Sequence, residues 1–405
     1  MPCDLTNRSP SVVVYLTVRE RIHEAVWNVQ PVESAVAPLT PQQRALIRLC
    51  IAPEAELGEA FRSCFGGVDL DSLDHASCEL LGLAYRRLSA ADLDLAVRSR
   101  LSNSYRTTWH RNQTMLHRDR PLLEKITELT GRSLVLKGGA MVSSAYYDDL
   151  GVRPLMDLDV LVDRAWVEPI VEWALAHEWR VLKDLSLRDA YTAHHAVSLE
   201  HGTYGALDLH WAMLVQDRNP IRDRELQSLS HPATLGEVAI HVLPPTLQLF
   251  HTIAHAKPKG IRHLVDVFTI VDRAGDSVDW SALVDEVTAR RTVAYALPTL
   301  CQVEEIRPGT VPPVVLGRLA RGPRHWSDYA FHGESLTSRR GTVHRLAAEV
   351  AGRARGTGPL EKIRVARALI RRYRDAQRGD QSRSFAFSAV DLVRRRRATG
   401  IRDHG

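Results

Sequence analysis

Three aspartates carry the chemistry open to this sequence. Asp157 and Asp159 flank Leu158 in Met156-Asp157-Leu158-Asp159-Val160-Leu161-Val162. In a strand, side chains alternate, so a spacing of two sets both carboxylates on one face while Leu158 and Val160 turn to the core. Two clustered carboxylates are costly unless a cation neutralises them. Hard oxygen ligands in an incomplete cage suit Mg²⁺, which completes its octahedron with water and substrate phosphates. Asp208, in Leu207-Asp208-Leu209-His210-Trp211, lies 51 positions after Asp157 on a second apolar run. If the two strands are neighbours, three carboxylates converge on two metal ions. Such a pair activates an attacking hydroxyl and stabilises a leaving pyrophosphate in an in-line displacement.

The elements that must position these groups begin upstream. Leu134-Val135-Leu136 is a short apolar run ending in Lys137-Gly138-Gly139, and a helical segment follows from Ala140. Adjacent glycines after a strand let the backbone approach a ligand closely and present amides where phosphate is stabilised. A helix is expected over Trp166–His177, with Trp166, Val167, Ile170, Trp173 and Ala174 on one side, then a strand at Trp179–Leu182. Thr192–Glu200 and Ala206–Met213 read as hairpin arms across His201–Gly205.

Helical segments flank this unit. Thr40-Pro41-Gln42-Gln43 offers a cap, a first-turn proline and a capping-box glutamine. Ser89 and Asp92 begin a long helix that Pro121 kinks or divides, with Gly131 as its C-cap. From Pro244 the chain is helical again. Ile261, Leu264, Val265, Phe268 and Val271 share one face of a helix, with Arg262 and Asp266 on the opposite face. The domains expected are therefore a mainly helical 1–130, a mixed α/β core at 131–215, a helical 216–345 and a basic, partly helical tail at 346–405.

Histidines and a basic loop are further candidates. His194, His195 and His210 could flank the carboxylates. His251 and His255 have helical i, i+4 spacing and His263 follows, but no Glu follows His251 and no third zinc ligand is evident, which favours a structural or substrate-lining role. Lys257-Pro258-Lys259-Gly260 with Arg262 is a positive stretch suited to phosphates or a polyanionic acceptor. The candidate substrate-lining set is His210, His255, Lys257, Arg262 and Asp266.

Composition narrows the class. The 405 residues are 44% hydrophobic and 25% charged, the balance of a globular chain rather than a disordered one. No run is long and apolar enough for a membrane span, and the N-terminus does not read as a signal peptide. Five scattered cysteines without a CxxC pair argue against a disulfide framework and for a reducing cytosol. Residues 351–405 hold 15 Lys and Arg against 5 Asp and Glu, whereas the other 350 carry 38 basic and 43 acidic groups. A polyanion contact is thus expected of the tail, while the mildly acidic body does not read as a nucleic-acid coat. A Walker-type P-loop, a GxSxG elbow and a dinucleotide fingerprint are all missing.

The stretch LVLKGGAMVSSAYYDDLGVRPLMDLDVLVD resembles the core of the polymerase-beta-like nucleotidyltransferase superfamily. It is most similar to a bacterial family of uncharacterised nucleotidyltransferases sharing a Lys-Gly, Arg-Pro-x-x-Asp-x-Asp pattern. DLHW at 208–211 and LPPTLQLFHTIAHAKPKGIRHLVDVF resemble later blocks of that family. The resemblance covers roughly 134–275. It implies an α+β fold with a small mixed-sheet nucleotidyltransferase core between helical N-terminal and C-terminal regions. It also implies that Gly138 and Gly139 cradle a triphosphate, that Lys137 and Arg153 touch phosphate, that Asp157 and Asp159 bind both metals, and that Asp208 ligates one and helps activate the nucleophile. One departure is the 17 residues between Gly139 and Asp157, which imply a longer helix or loop. The expected reaction moves a nucleoside monophosphate from an NTP to a hydroxyl or phosphate on an RNA end, small molecule or peptide, with two Mg²⁺ ions as cofactor. Two rivals are a glycosyltransferase using Asp-x-Asp, disfavoured by the helical 40–130, and a non-catalytic adaptor gripping nucleic acid or a partner through the tail.

Overall fold

The computed structural model describes residues 37–66, 70–88, 93–182, 191, 194–202, 205–214, 220–255 and 260–322. The helix start at Ser89 and Asp92, Lys257 with its basic loop, and the basic tail 351–405 lie outside the described residues.

The capping box at Thr40 forms as the sequence requires. Gln43 N donates to Thr40 Oγ1 and Thr40 N to Gln43 Oε1, each at 3.1 Å, opening α1 (Pro41–Ile51). Helices α2 (Leu57–Phe65), α3 (His75–Cys78) and α4 (Leu81–Arg87) follow. The long helix α5 (Leu95–Thr130) is capped by Asp94 and stopped by Gly131 at φ 79. It runs through Pro121 unbroken. A proline removes one helical hydrogen bond, but Leu122, Leu123 and Ile126 are fully buried just beyond it and hold the helix on the sheet.

The core is a seven-stranded mixed sheet: β1 (Leu134–Val135), β2 (Leu158–Leu161), β3 (Arg180–Val181), β4 (Ala196–His201), β5 (Gly205–His210), β6 (His231–Leu235) and β7 (Val238–Val242), in the order β3-β4-β5-β2-β1-β7-β6. β2 and β5 are parallel, as are β1 and β7, and every other pairing is antiparallel. The β4–β5 hairpin matches the sequence reading. The β6–β7 hairpin corrects it, because 216–345 was expected to be helical. Val238, Ile240 and Val242 alternate inward, and Gly236 at φ 56 supplies the turn.

Helix α6 (Lys137–Val142) follows β1, and α7 (Arg164–Ala176) follows β2. One face of the sheet, with Leu158, Val160, Leu207 and Leu209, packs on α5 and on Val167, Ile170, Val171 and Ala174 of α7. Trp166 does not join them and is exposed. Beyond the sheet come α8 (Pro220–Ser228), α9 (Pro245–Ala254), α10 (Arg262–Ala274), α11 (Trp280–Ala289), α12 (Val293–Ile306) and α13 (Pro313–Arg321). The other face contributes Leu134, Leu136 and Leu161 to a second core, which α1 and α4 build together with α9 to α13. The helices before and after the sheet segment therefore share one apolar interior.

Candidate active site

The parallel register of β2 on β5 decides the geometry. Asp159 pairs directly with Asp208, and Leu158 with Leu207. Asp157 immediately precedes β2, close enough for the charges of Asp159 and Asp208 to act on it. The three aspartates of the sequence reading are thus brought together. Asp159, Asp208 and His210 present ligand atoms within 4.8 Å of one another.

The carboxylates differ in their surroundings. Asp159 is buried, and its Oδ1 accepts from Lys137 Nζ at 2.6 Å and from His210 Nε2 at 2.8 Å. Burial alone would raise its pKa, but the Lys137 ammonium and the His210 bond overcome that and hold it well below the carboxylate range. Asp157 goes the other way. Burial and then the charges of Asp159 and Asp208 push it up to about 6, with Lys137 and His210 only partly offsetting them. Among the described residues, the positive groups beside Asp157 do not fully offset the other two carboxylates. Oxygen donors with one adjacent imidazole, under that excess of negative charge, fit a bound divalent cation.

Lys137 opens α6 at φ 45, a left-handed backbone that is uncommon for a non-glycine residue. The strand end beneath it is fixed by Leu136 N donating to Asp159 O at 2.8 Å. Both glycines are buried, and both are small because of what lies against them. A Cβ on Gly138 would stand 2.1 Å from Arg153 Nη1, and one on Gly139 would stand 2.5 Å from Val135 Cγ1.

Arg153, expected to touch phosphate, sits under Gly138 with its guanidinium engaged by Asp266. Nε and Nη2 donate to Asp266 Oδ2 at 3.1 and 2.9 Å, and Tyr147 Oη donates to Oδ1 at 3.0 Å. Asp266 is accordingly buried, not on an outer helix face as its spacing suggested. Arg262 donates to Pro154 O at 3.0 Å and pairs with Glu79 at 3.4 Å, so it too braces the loop before Asp157. His255 bonds Met213 O at 3.2 Å and packs on His251, ring centroids 4.4 Å apart. Burial, then Lys137, lowers its pKa to about 3, and burial with His255 beside it takes His251 well below the usual value. His195 meets His210 edge-on with centroids 4.8 Å apart.

Sequence reasoning missed the residues that hold the long Gly139–Asp157 connection. Asn112, fully buried on α5, donates Nδ2 to Leu150 O at 2.7 Å and Arg153 O at 2.8 Å, and its Oδ1 accepts Leu155 N at 3.0 Å. Tyr105 Oη donates to Asp149 Oδ1 at 3.0 Å, which also accepts Gly151 N at 2.7 Å. Asp119, also on α5 and fully buried beside Gly205, has its pKa pushed well above normal by burial. A signal for Asn112 and Asp119 exists: they occupy positions in the series 112, 115, 116, 119, 122, 123, 126 whose other members are apolar.

A family model described as "Uncharacterised nucleotidyltransferase" matches residues 76–306, more than half of the chain. The chain belongs to that family. The match takes in α5 and the whole sheet, so the nucleotidyltransferase includes the helix that carries Asn112 as well as the Asp-x-Asp strand. Membership makes it a transferase of phosphorus-containing groups. No curated protein and no solved structure matches the chain. Among the described residues, no helix is long and apolar enough to cross a membrane.

Proposed function

We propose that the protein transfers a nucleoside monophosphate from an NTP to an acceptor hydroxyl or phosphate and releases pyrophosphate, with Mg²⁺ as cofactor. The observation that carries this reading is the direct pairing of Asp159 with Asp208, with Asp157 immediately before the strand and under the charge of both. Asp157 and Asp159 would hold two ions, and Asp208 would share one of them. When bound, Mg²⁺ supplies Lewis acidity at the reacting phosphate and lowers the pKa of the attacking hydroxyl.

The chain's own residues do the rest. Lys137 and the backbone at Gly138 and Gly139 receive the triphosphate at the end of β1. Arg153, tied to Asp266, supports that turn from below and fixes its height above the carboxylates. Asp208, half-buried, would accept the proton of the incoming hydroxyl. His210 keeps Asp159 ionised and oriented. Such positioning with charge stabilisation accounts for most of the acceleration in phosphoryl transfer.

An RNA end, a small molecule or a peptide all fit as acceptor, and the basic tail offers a polyanion salt-dependent affinity. Free thiols at Cys50, Cys64, Cys78 and Cys301 support a cytoplasmic setting.

The test is to incubate wild type and the Asp157→Ala/Asp159→Ala variant with each α-³²P-labelled NTP, Mg²⁺ and either total RNA or a metabolite extract. Label transfer with pyrophosphate release, lost in the variant, is the expected result. Neither binding nor transfer by the wild type would overturn the catalytic reading and leave the adaptor in its place.

A further inference from the structure

One oxygen of Asp159 is already engaged. Its Oδ1 accepts from both Lys137 Nζ and His210 Nε2, so a metal reaches that oxygen, or bridges the carboxylate, only when a donor leaves. His210 is almost fully buried at 1% side-chain exposure, whereas Lys137 is 30% exposed and sits on a flexible stem. Lys137 is therefore the donor that can go. Its backbone adds a second, independent observation: φ 45 at a non-glycine residue is retained where surrounding structure enforces it, and such strain clusters at functional positions. That conformation sets Lys137 at the junction of two features, the Asp159 carboxylate behind it and the Gly138-Gly139 turn ahead of it.

We propose that Lys137 is the resident cation of this site: its ammonium neutralises Asp159 before metal arrives, and moves to the triphosphate as the nucleotide binds. The inference rests on the nucleotidyltransferase reading and deepens it. Like charges in contact repel strongly at low dielectric, so a divalent ion on Asp159 and the ammonium exclude each other. The triphosphate gives the displaced ammonium a new partner within reach of the same residue. Metal and nucleotide then load together, and the free protein holds little metal at Asp159. The arrangement also keeps the buried Asp159 tolerable beside two half-buried carboxylates before metal binds.

The experiment uses the full chain and Mn²⁺ as the probe, with free Mn²⁺ read by electron paramagnetic resonance, first without nucleotide and then with each α,β-methylene NTP. Lys137→Met is expected to bind Mn²⁺ at least about tenfold more tightly than wild type without nucleotide, the effect of removing a competing contact charge, and to bind the analogue about tenfold more weakly. Lys137→Arg, which keeps the charge, should stay near wild type for Mn²⁺. Asp159→Asn should lose the gain when combined with Lys137→Met. Thermal melts give a second readout: Mn²⁺ should raise the melting temperature of Lys137→Met by more than that of wild type, even if the variant is less stable. Equal or weaker Mn²⁺ binding by Lys137→Met, with analogue binding by the wild type intact, would overturn the proposal and leave the transferase reading standing. Absence of analogue binding by the wild type at any Mn²⁺ concentration would overturn both.

Discussion

Asp159 and Asp208 are direct partners across β2 and β5, yet Lys137 and His210 both bond to Asp159. The two carboxylates therefore contribute oppositely to stability. Removing the charge of Asp208 relieves Asp157, whose raised pKa registers that repulsion. Asp208→Asn is expected to stabilise the fold by about 1 kcal/mol while lowering transfer at least about a hundredfold, the trade between activity and stability usual at such sites. Asp159→Asn should lose activity and stability together, since it strands two donors. Urea midpoints set beside label-transfer rates separate the two variants.

The glycine pair is expected to be intolerant for packing reasons as well as catalytic ones. Gly139→Ala drives its Cβ to 2.5 Å from Val135 Cγ1. Overpacking of this kind costs about 1–3 kcal/mol. Val135→Ala in the same chain should restore part of the loss. An additive double variant, measured by denaturant unfolding, would mean that the clash is not the cause.

Arg153 and Asp266, 113 residues apart, form a buried bidentate pair. Breaking such a pair by removing one partner typically costs about 3–5 kcal/mol, because the other charge is left buried. Arg153→Met and Asp266→Leu should each fall in that range. The double variant should lie about 2 kcal/mol or more above their sum in a thermodynamic cycle. Nucleotide affinity should drop in both single variants if the pair sets the height of Gly138.

Acid should destabilise the protein through three histidines of lowered pKa, with Asp157, raised to about 6, taking up its proton in the same range and offsetting part of the effect. His251 is buried and His255 and His263 are partly buried, and desolvation lowers all three, His255 to about 3 and His263 to about 4. Their unfolded value is about 6.5. Between these limits the unfolded chain binds more protons, so the stability they contribute is complete above pH 6.5 and is lost as the pH falls. The slope is about 1.4 kcal/mol per pH unit for each histidine, or about 4 for all three near pH 5.5. Unfolding free energies between pH 7 and 5 check this, and His263→Gln should remove about a third of the slope.

Local alternation made part of this legible. Asp157 and Asp159 stand out in sequence because Leu158 and Val160 between and beyond them are fully buried, and Asp208 because Leu207 and Leu209 are. Pairing between distant segments was not legible. Arg262 and Asp266 looked like an exposed i, i+4 pair, but the partner that buries Asp266 comes from a loop more than a hundred residues earlier. Asn112 and Asp119 hid on the apolar stripe of α5, where a polar residue is readable only if the stripe is known to be core. The β6–β7 hairpin was legible in principle from Val238, Ile240 and Val242 around the Gly236 turn, and was masked by the helical texture on both sides.

The two-residue strand β1 pairs on one side with β2 and on the other with β7, where Leu134 meets His241. During synthesis, the strand that leads into Lys137 has an open edge until the chain has been extended past Val242. Open edges invite pairing with other chains, and contacts this distant in sequence form slowly. A nascent chain stalled before β6 would hold all three aspartates and the glycine pair, yet lack the neighbour that finishes their scaffold. Competence for nucleotide is thus acquired late in translation, and ribosome-bound fragments ending before and after Val242 should differ sharply in protection of β1 against proteolysis.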